Sequence, residues 1–323
     1  MNDHYLPEGA RLGTIENREA TATISALERA MNTGMILEGI ATLCDHSLNL
    51  HVDVGGFEGY MPYEETVFNP DGQPIKDIAV ISRVGKPICF RVLGVLRDGE
   101  RGKPQLLLSR RAAQMDCYRE FLSTLMPGDV IPAKVTHLES FGAFVDIGCG
   151  VISLLSVDCL SVSRINHPRE RLSTGMKLRV VVKTIDGQNN RIFVSLRELL
   201  GTWEQNAALF GTGQTAAGII RSVERYGVFV ELTPNLAGLA ELRPDADANT
   251  VARLQACIGR YTGVYIKSIQ PDRMKIKLVL IDSYRGEPAH AELRYFIDPE
   301  RTARLEHWRY SPESAGKVIE TVF

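Results

Sequence analysis

Short runs of alternating apolar and polar residues dominate the chain and predict β-strands rather than long helices. Between residues 128 and 197 these runs are separated by turns rich in glycine and asparagine, and they cover 130–135, 143–147, 151–155, 177–185 and 191–196. Residues 211–283 repeat this order, and residues 33–111 repeat it more loosely. A repeat of this kind sets the architecture, because each copy contains enough strands for one small barrel.

Five strands in about seventy residues, with one longer excursion before the fourth, are typical of the Greek-key barrel of the OB type. We therefore predict a mainly β protein of three tandem five-stranded OB-fold barrels joined by short helices. The expected units are an N-terminal helical lead (1–32), a first, degenerate barrel (33–111), a linker helix (112–127), a second barrel (128–197), a second linker helix (198–210), a third barrel (211–283) and a C-terminal extension (284–323).

The C-terminal extension lies outside the repeats. Its residues 292–297 and 307–310 are patterned as strands. Trp308 and Tyr310 are expected to dock this extension either on the third barrel or on a partner, and the sequence does not choose between the two.

Composition narrows the class of protein. Hydrophobic residues make up 44% and charged residues 24% of the 323-residue chain, whose net charge is −2. These values are ordinary for a globular protein, and the absence of a long apolar run or a signal-peptide pattern predicts a cytoplasmic protein with no membrane partner. The six cysteines are scattered without a C-x-x-C pair, so free thiols are expected rather than disulfides or a metal site.

Two aromatic pairs recur at the same place in the repeat. Phe141 and Phe144 surround Gly142, and Tyr226 and Phe229 stand in the same pattern downstream. Aromatics on the outside of a small barrel offer flat faces on which any nucleobase stacks. The segments that carry the pairs also have a small positive excess of charge, which favours contact with phosphates. A core position remains an equal alternative for Phe144 and Phe229, since their strand neighbours are apolar.

The second unit resembles the S1 RNA-binding domain, an OB-fold module repeated in a ribosomal protein of the small subunit. The resemblance rests on Gly128-Asp129-Val130, Phe141-Gly142-Ala143-Phe144-Val145-Asp146, Asn166-His167-Pro168, and Asp186 followed by Arg191-Ile192-Phe193-Val194-Ser195-Leu196. The third unit is similar in its first half. The first is recognisable chiefly through residues 55–62 and 108–111, and the whole chain looks like the short homologue carried by Gram-positive bacteria.

This resemblance implies an RNA face of two aromatics, a histidine near the third strand, and an Asp/Arg pair beside the last turn. The residues that take the implied binding positions are Phe141, Phe144, Asp186 and Arg191 in the second unit, and Tyr226, Phe229 and Lys275 in the third. The departures from the pattern are Ser153 and Ala240 at the histidine place, Gln270 at the aspartate place, and Ser47, Leu50 and Gln105 in the first unit.

The sequence thus predicts an RNA-binding protein of the translation apparatus that holds single-stranded mRNA through its second and third barrels. The first barrel is expected to dock on the 30S ribosomal subunit. The alternatives are a protein-interaction scaffold whose barrels have lost RNA binding, or a general regulator of RNA metabolism. The chain has no phosphate-binding loop, H-E-x-x-H or G-x-S-x-G motif, so neither an enzyme nor a cofactor or metal is expected.

Overall fold

The computed structural model describes residues 4–70, 72, 74–96, 104–242, 248–281 and 293–323. Within these residues the chain forms three closed five-stranded barrels, which confirms the predicted fold class. The first barrel contains β1 (Leu37–Cys44), β2 (Leu50–Val54), β3 (Phe57–Met61), β4 (Pro87–Leu96) and β5 (Gln105–Ser109). The second contains β6 (Val130–Glu139), β7 (Gly142–Asp146), β8 (Ile152–Ser156), β9 (Lys177–Asp186) and β10 (Arg191–Ser195). The third contains β11 (Thr215–Glu224), β12 (Gly227–Thr233), β13 (Leu236–Glu241), β14 (Tyr261–Gln270) and β15 (Lys275–Ile281).

All three barrels share one topology. The first, second and third strands pair in sequence, the third pairs in parallel with the fifth, and the fourth closes the barrel against the first. The first strand of each barrel shifts register at the same place, after Ala41, Val135 and Ile220. A bulge there increases the bend of the strand, which lets it pair with both the second and the fourth strand.

Helices precede the first barrel, connect successive barrels, and are inserted between strands of the first and third barrels. Their bounds are α1 (Ile15–Thr21), α2 (Ile24–Thr33), α3 (Asp77–Ile81), α4 (Arg110–Glu120), α5 (Trp203–Ala207) and α6 (Ala248–Gln255). The lead therefore holds two helices. Thr23 has an extended backbone, and its hydroxyl accepts a hydrogen bond from the Ala26 amide at 3.1 Å, so it starts a new helix where the apolar spacing alone reads as continuous.

Each linker differs from the single helix that the sequence predicts. Helix α4 begins at Arg110, inside the expected first unit, and a separate short 3-10 turn follows it at Leu122–Thr124. In the second linker a 3-10 turn at Arg197–Leu200 is separated from α5 by Gly201, whose φ of 85° ends the helical path. Trp203 is buried in the third-barrel core, as expected for a packing residue.

A buried ionic junction holds the first and second barrels together. Arg110 donates to the Glu8 carboxylate from Nε at 2.6 Å and from Nη2 at 3.2 Å. The backbone amide of Glu8 donates to Asp146 of β7 at 2.7 Å, and that of Cys89 in β4 donates to Glu8 at 3.1 Å. The N-terminal segment is thus the connector between the two barrels.

A second buried junction joins the second and third barrels. Glu231 of β12 accepts two hydrogen bonds from Arg171, at 2.7 and 2.6 Å, and two from Arg221, at 2.8 and 3.1 Å. Arg171 ends the excursion of the second barrel, where His167 caps the 3-10 turn Pro168–Glu170. The excursion between β8 and β9 therefore carries the contact with the third barrel.

The C-terminal extension packs on both of these barrels. Its strands are β16 (His307–Arg309) and β17 (Glu320–Val322), whereas residues 293–297 form no strand, so that part of the prediction is wrong. Backbone hydrogen bonds link 303–305 to the start of β6. Trp308 and Tyr310 are buried in the third-barrel core, and the Tyr310 hydroxyl donates to the Asn235 carbonyl at 2.6 Å. Of the two docking alternatives, the structure selects the third barrel.

Candidate nucleic-acid interface

The hairpin between β6 and β7 presents the first aromatic pair. Because side chains alternate along a strand, Ala143 and Val145 point into the barrel and are buried, while Phe144 lies between them on the outer face and is half-buried. Phe141, at the hairpin turn, keeps 53% of its surface exposed. The two rings meet edge to face, with centroids 6.0 Å apart and planes at 89°. The core alternative for Phe144 is therefore not what the structure shows.

The aromatic surface of the second barrel is wider than the sequence pattern indicates. His137 of β6 pairs with Phe144, and their rings stack with centroids 6.4 Å apart. On the other side Phe144 pairs with Leu154 of β8, which pairs in turn with Phe193 of β10. We call Phe193, Leu154, Phe144 and His137 the outer row of the second barrel.

Two members of this outer row, His137 and Phe193, are not among the predicted site residues. The sequence does contain a signal for Phe193, because it lies two residues after Arg191 and therefore on the same face of β10. His137 has a weaker signal, since the bulge after Val135 changes the alternation along β6. Both residues join Phe144 in the outer row only through pairing between strands.

The third barrel repeats the aromatic pair but not the whole row. Tyr226 is 59% exposed and meets the half-buried Phe229 edge to face at 6.2 Å between centroids. The registers place Ser222 and Leu239 on either side of Phe229, and Lys277 beyond Leu239. Its outer row therefore has one aromatic and one cation where the second barrel has three rings. Lys277 pairs with Glu241 at 3.2 Å.

The polar positions beside the last turn occupy equivalent places in the two barrels. Arg191 pairs with Asp186 across β9 and β10, as Lys275 pairs with Gln270 across β14 and β15. Arg191 and Lys275 are both exposed at the start of the fifth strand. Both cations are therefore available to a ligand. They lie at the same edge of the barrel as the strands that neighbour the aromatic pair.

Asp186 has a structural task of its own. Its carboxylate accepts hydrogen bonds from the Asn189 side chain at 2.7 Å and from the backbone amides of Gln188 and Asn189. The bonds from Asn189, followed by smaller contributions that include the nearby Arg191 charge, hold the pKa of Asp186 below its usual value. Asp186 therefore stabilises the turn that precedes Arg191.

In the first barrel, the structure corrects the alignment that was predicted for the binding positions. Leu50 is fully buried and pairs with Cys44, so it matches Ala143 inside the second barrel and not an exposed aromatic. His51 takes the place of Phe144, and it meets Tyr60 of β3 at 5.8 Å between ring centroids. Ser47 lies in the turn before β2, where its amide donates to Asp45. Gln105 does begin β5, opposite Leu96.

The predicted histidine places are also wrong. Ser153 is buried, and its hydroxyl donates to the Ile192 carbonyl at 2.6 Å. Ala240 is buried too, opposite Val228. The outward positions directly opposite Phe144 and Phe229 are Leu154 and Leu239 instead. One register step from a surface position always turns the side chain to the other face of the strand.

The residues that the structure describes hold neither a candidate metal cluster nor a candidate membrane-spanning helix. They contain no group of three or more His, Cys, Asp or Glu side chains arranged to hold a metal ion. They also contain no helix that is long and apolar enough to span a membrane.

Three OB-type barrels, of which the second and third each carry an exposed aromatic pair and a cation, define a repeated nucleic-acid-binding fold. Comparison with known families agrees: residues 124–197, the second barrel, match the S1 RNA binding domain. The resemblance predicted from the sequence is thus confirmed for this unit.

The chain as a whole is similar to ribosomal proteins. It is 29% identical over 234 residues to the small ribosomal subunit protein bS1 of Rickettsia conorii, covering 70% of this chain and 39% of that protein. It is 34% identical over 163 residues to the bS1 homolog of Bacillus subtilis, covering 49% and 41%. The bS1 protein of Staphylococcus aureus is 30% identical over 245 residues, covering 74% and 59%.

The chain spans between 39% and 59% of the length of these three relatives. The relatives from Rickettsia conorii and Staphylococcus aureus are both named as proteins of the small ribosomal subunit.

Proposed function

We propose that the protein is a cytoplasmic RNA-binding protein that holds single-stranded mRNA on the small ribosomal subunit. The observation that carries this proposal is the repeated aromatic pair. Phe141 and Tyr226 are both more than half exposed, each beside a second ring on the outer face. A monomeric barrel gains nothing from keeping such rings in water, whereas a stacked base buries them.

The expected binding energies correspond to a weak RNA contact made once by the second barrel and once by the third. Stacking of one base on an aromatic side chain contributes about 1–3 kcal/mol and tolerates every base. Arg191 and Lys275 add contacts with phosphates that weaken as salt is raised. The two barrels are held together by Arg171 and Glu231, so a strand bound to one raises the effective concentration of RNA at the other. Duplex RNA is a poor ligand because its bases are already stacked.

The first barrel supports a different task. Its outer row consists of Leu107, Tyr60, His51 and Leu43, and β5 begins with Gln105 where the fifth strands of the other barrels begin with Arg191 and Lys275. An outer face that lacks the aromatic pair of the other two barrels suits contact with a protein surface better than stacking of bases, and we assign this barrel to docking on the 30S subunit. The similarity to small-subunit ribosomal proteins supports the assignment.

The test of RNA binding uses Phe141→Ala, Tyr226→Ala and the double variant. Affinity for labelled oligouridine should fall in each single variant and further in the double variant. Tyr265→Ala is the matched control, because this tyrosine is also exposed but lies on β14, which pairs with neither β12 nor β13. Unchanged affinity in the double variant would contradict the proposal. A protein that never binds polyuridine, even at low salt, would instead favour the scaffold function.

The docking role has its own measurement. A variant with His51→Ala and Tyr60→Ala should co-sediment less with 30S subunits while keeping its affinity for free oligouridine. Equal co-sedimentation of this variant and the unmodified protein would remove the first barrel from the docking surface.

A further inference from the structure

A basic cleft lies between the first and second barrels. It has a volume of about 660 Å³. One wall comes from the segment that links α3 to β4, including Ser82, Arg83 and Lys86, and the other comes from β6, including Lys134. The cleft is therefore formed only when the two barrels are docked.

The cations of the cleft are more available than its acids. Lys86 is exposed, and its side chain makes no hydrogen bond or ion pair within the described part of the chain. Among the described residues, the ion pair of Arg83 is a long one of 3.5 Å with Glu8. Glu8 itself is neutralised by Arg110 at 2.6 Å. Lys134 donates to the Glu8 carbonyl, a bond that leaves its charge uncompensated.

Asp146 is the second acid of the cleft, and its oxygens are also occupied. They accept hydrogen bonds from the backbone amides of Glu8, Gly148 and Gly150, between 2.7 and 3.0 Å. Burial, and then the charge of Glu8, raise the pKa of Asp146 above its usual value. The cleft thus offers an excess of positive charge to a ligand.

The cleft is continuous with the outer row of the second barrel. Phe144 and His137, two members of that row, also line the cleft wall. A nucleotide stacked on Phe144 consequently has its next phosphate directed either along the row towards Phe193 or into the cleft towards Lys134 and Lys86. The two surfaces therefore share the rings of Phe144 and His137.

We propose that single-stranded RNA leaving the second-barrel platform runs into this cleft, where Lys86, Arg83 and Lys134 bind its phosphates. This inference rests on the RNA-binding function proposed above and extends it. It gives the first barrel a share in RNA binding although its own aromatic pair is absent. Continuity with a stacking platform favours RNA over an acidic peptide, which has no bases to place on Phe144.

The test compares two lengths of oligouridine, of about four and about twelve nucleotides, since an OB fold covers about 4–16 nucleotides. Lys86→Met and Lys86→Glu are introduced into the full chain, with Lys317→Met and Lys317→Glu as controls, because Lys317 is an exposed lysine of the C-terminal extension. Affinity for the longer RNA should fall about threefold for Lys86→Met and about tenfold for Lys86→Glu, with the short RNA unaffected. The slope of log K against log salt should become shallower by about 0.7 for each lost phosphate contact.

The outcomes separate this inference from the proposed function. If Phe141→Ala weakens binding but Lys86→Glu leaves the longer RNA unaffected, the cleft is not on the RNA path and the platform stands. If polyglutamate binds in its place and Lys86→Glu abolishes that binding, the cleft belongs to an acidic peptide and the inference is overturned. If the unmodified protein binds neither RNA, both proposals fail. The Lys86 side chain makes no hydrogen bond or ion pair with any other described residue, so unchanged thermal unfolding of its variants is expected and is measured alongside.

Discussion

Arg171 of the second barrel and Glu231 of the third are joined by two hydrogen bonds, of 2.7 and 2.6 Å, with their side chains 0% and 1% exposed. Glu231 also accepts from Arg221 of its own barrel. The carboxylate therefore compensates two buried guanidinium groups at the contact between barrels. Removal of its charge takes the ion pair from the buried Arg171, whereas Arg221 keeps its pair with Glu170.

We expect Glu231→Gln to destabilise the protein by about 3–5 kcal/mol, the cost of breaking a buried ion pair from one side. Chemical denaturation measures the free energy of unfolding. Glu241→Gln is the control, because it breaks the exposed pair with Lys277 and should cost less than about 1 kcal/mol. Equal losses in the two variants would contradict a special role for the buried junction.

The same junction predicts a dependence of stability on pH. Burial raises the pKa of Glu231, but the hydrogen bonds and charges of Arg171 and Arg221 outweigh it and hold the pKa below the usual 4.5. A carboxylate with a lowered pKa in the folded state stabilises the fold above its unfolded pKa, and this stabilisation is lost as pH falls through the folded value. The difference in unfolding free energy between the unmodified protein and Glu231→Gln should therefore shrink as pH drops below 4.5. A difference that stays constant on acidification would show that Glu231 does not titrate with this shift.

The outer row of the second barrel predicts a contribution from Phe193. Phe193→Ala should weaken binding of oligouridine by about five- to a hundredfold, as expected for the loss of one stacked base at about 1–3 kcal/mol. Fluorescence anisotropy of a labelled RNA is the measurement. Leu107→Ala, at the matching place on the first barrel, is the control and should have little effect on free RNA. If Phe193→Ala also leaves the affinity intact, the RNA surface ends at Phe144.

Close packing of strands explains the glycine between the two aromatics. A Cβ at Gly142 would lie 2.6 Å from the Leu155 carbonyl oxygen and 3.0 Å from the Ser156 Cα. Both neighbours are backbone atoms, so Gly142→Ala should destabilise the hairpin by about 1–3 kcal/mol. Thermal unfolding would report the loss. Gly187→Ala is the matched control, since nothing lies within 4 Å of a Cβ there, and comparable losses at both glycines would refute the explanation.

The sequence alone determined the three-barrel architecture and the two aromatic pairs. Both depend on local patterns: alternation of apolar residues within one strand, and two rings three positions apart around a glycine. The same patterns also assign Phe144 and Phe229 to strands. They do not decide whether these rings lie on the inner or the outer face of the barrel. Their outward direction follows from the burial of the residues on either side, which pairing with neighbouring strands decides.

Only the tertiary structure decided which residues surround those rings. Leu50 was mistaken for a platform position because the turn before β2 is longer than its counterparts, and the cross-strand register shows that His51 stands there. His137 and Phe193 join Phe144 through pairs between strands that are distant in sequence. Arg171 and Glu231 are 60 residues apart along the chain. Contacts of this kind leave no spacing in a single sequence, because the fold, and not the distance along the chain, brings them together.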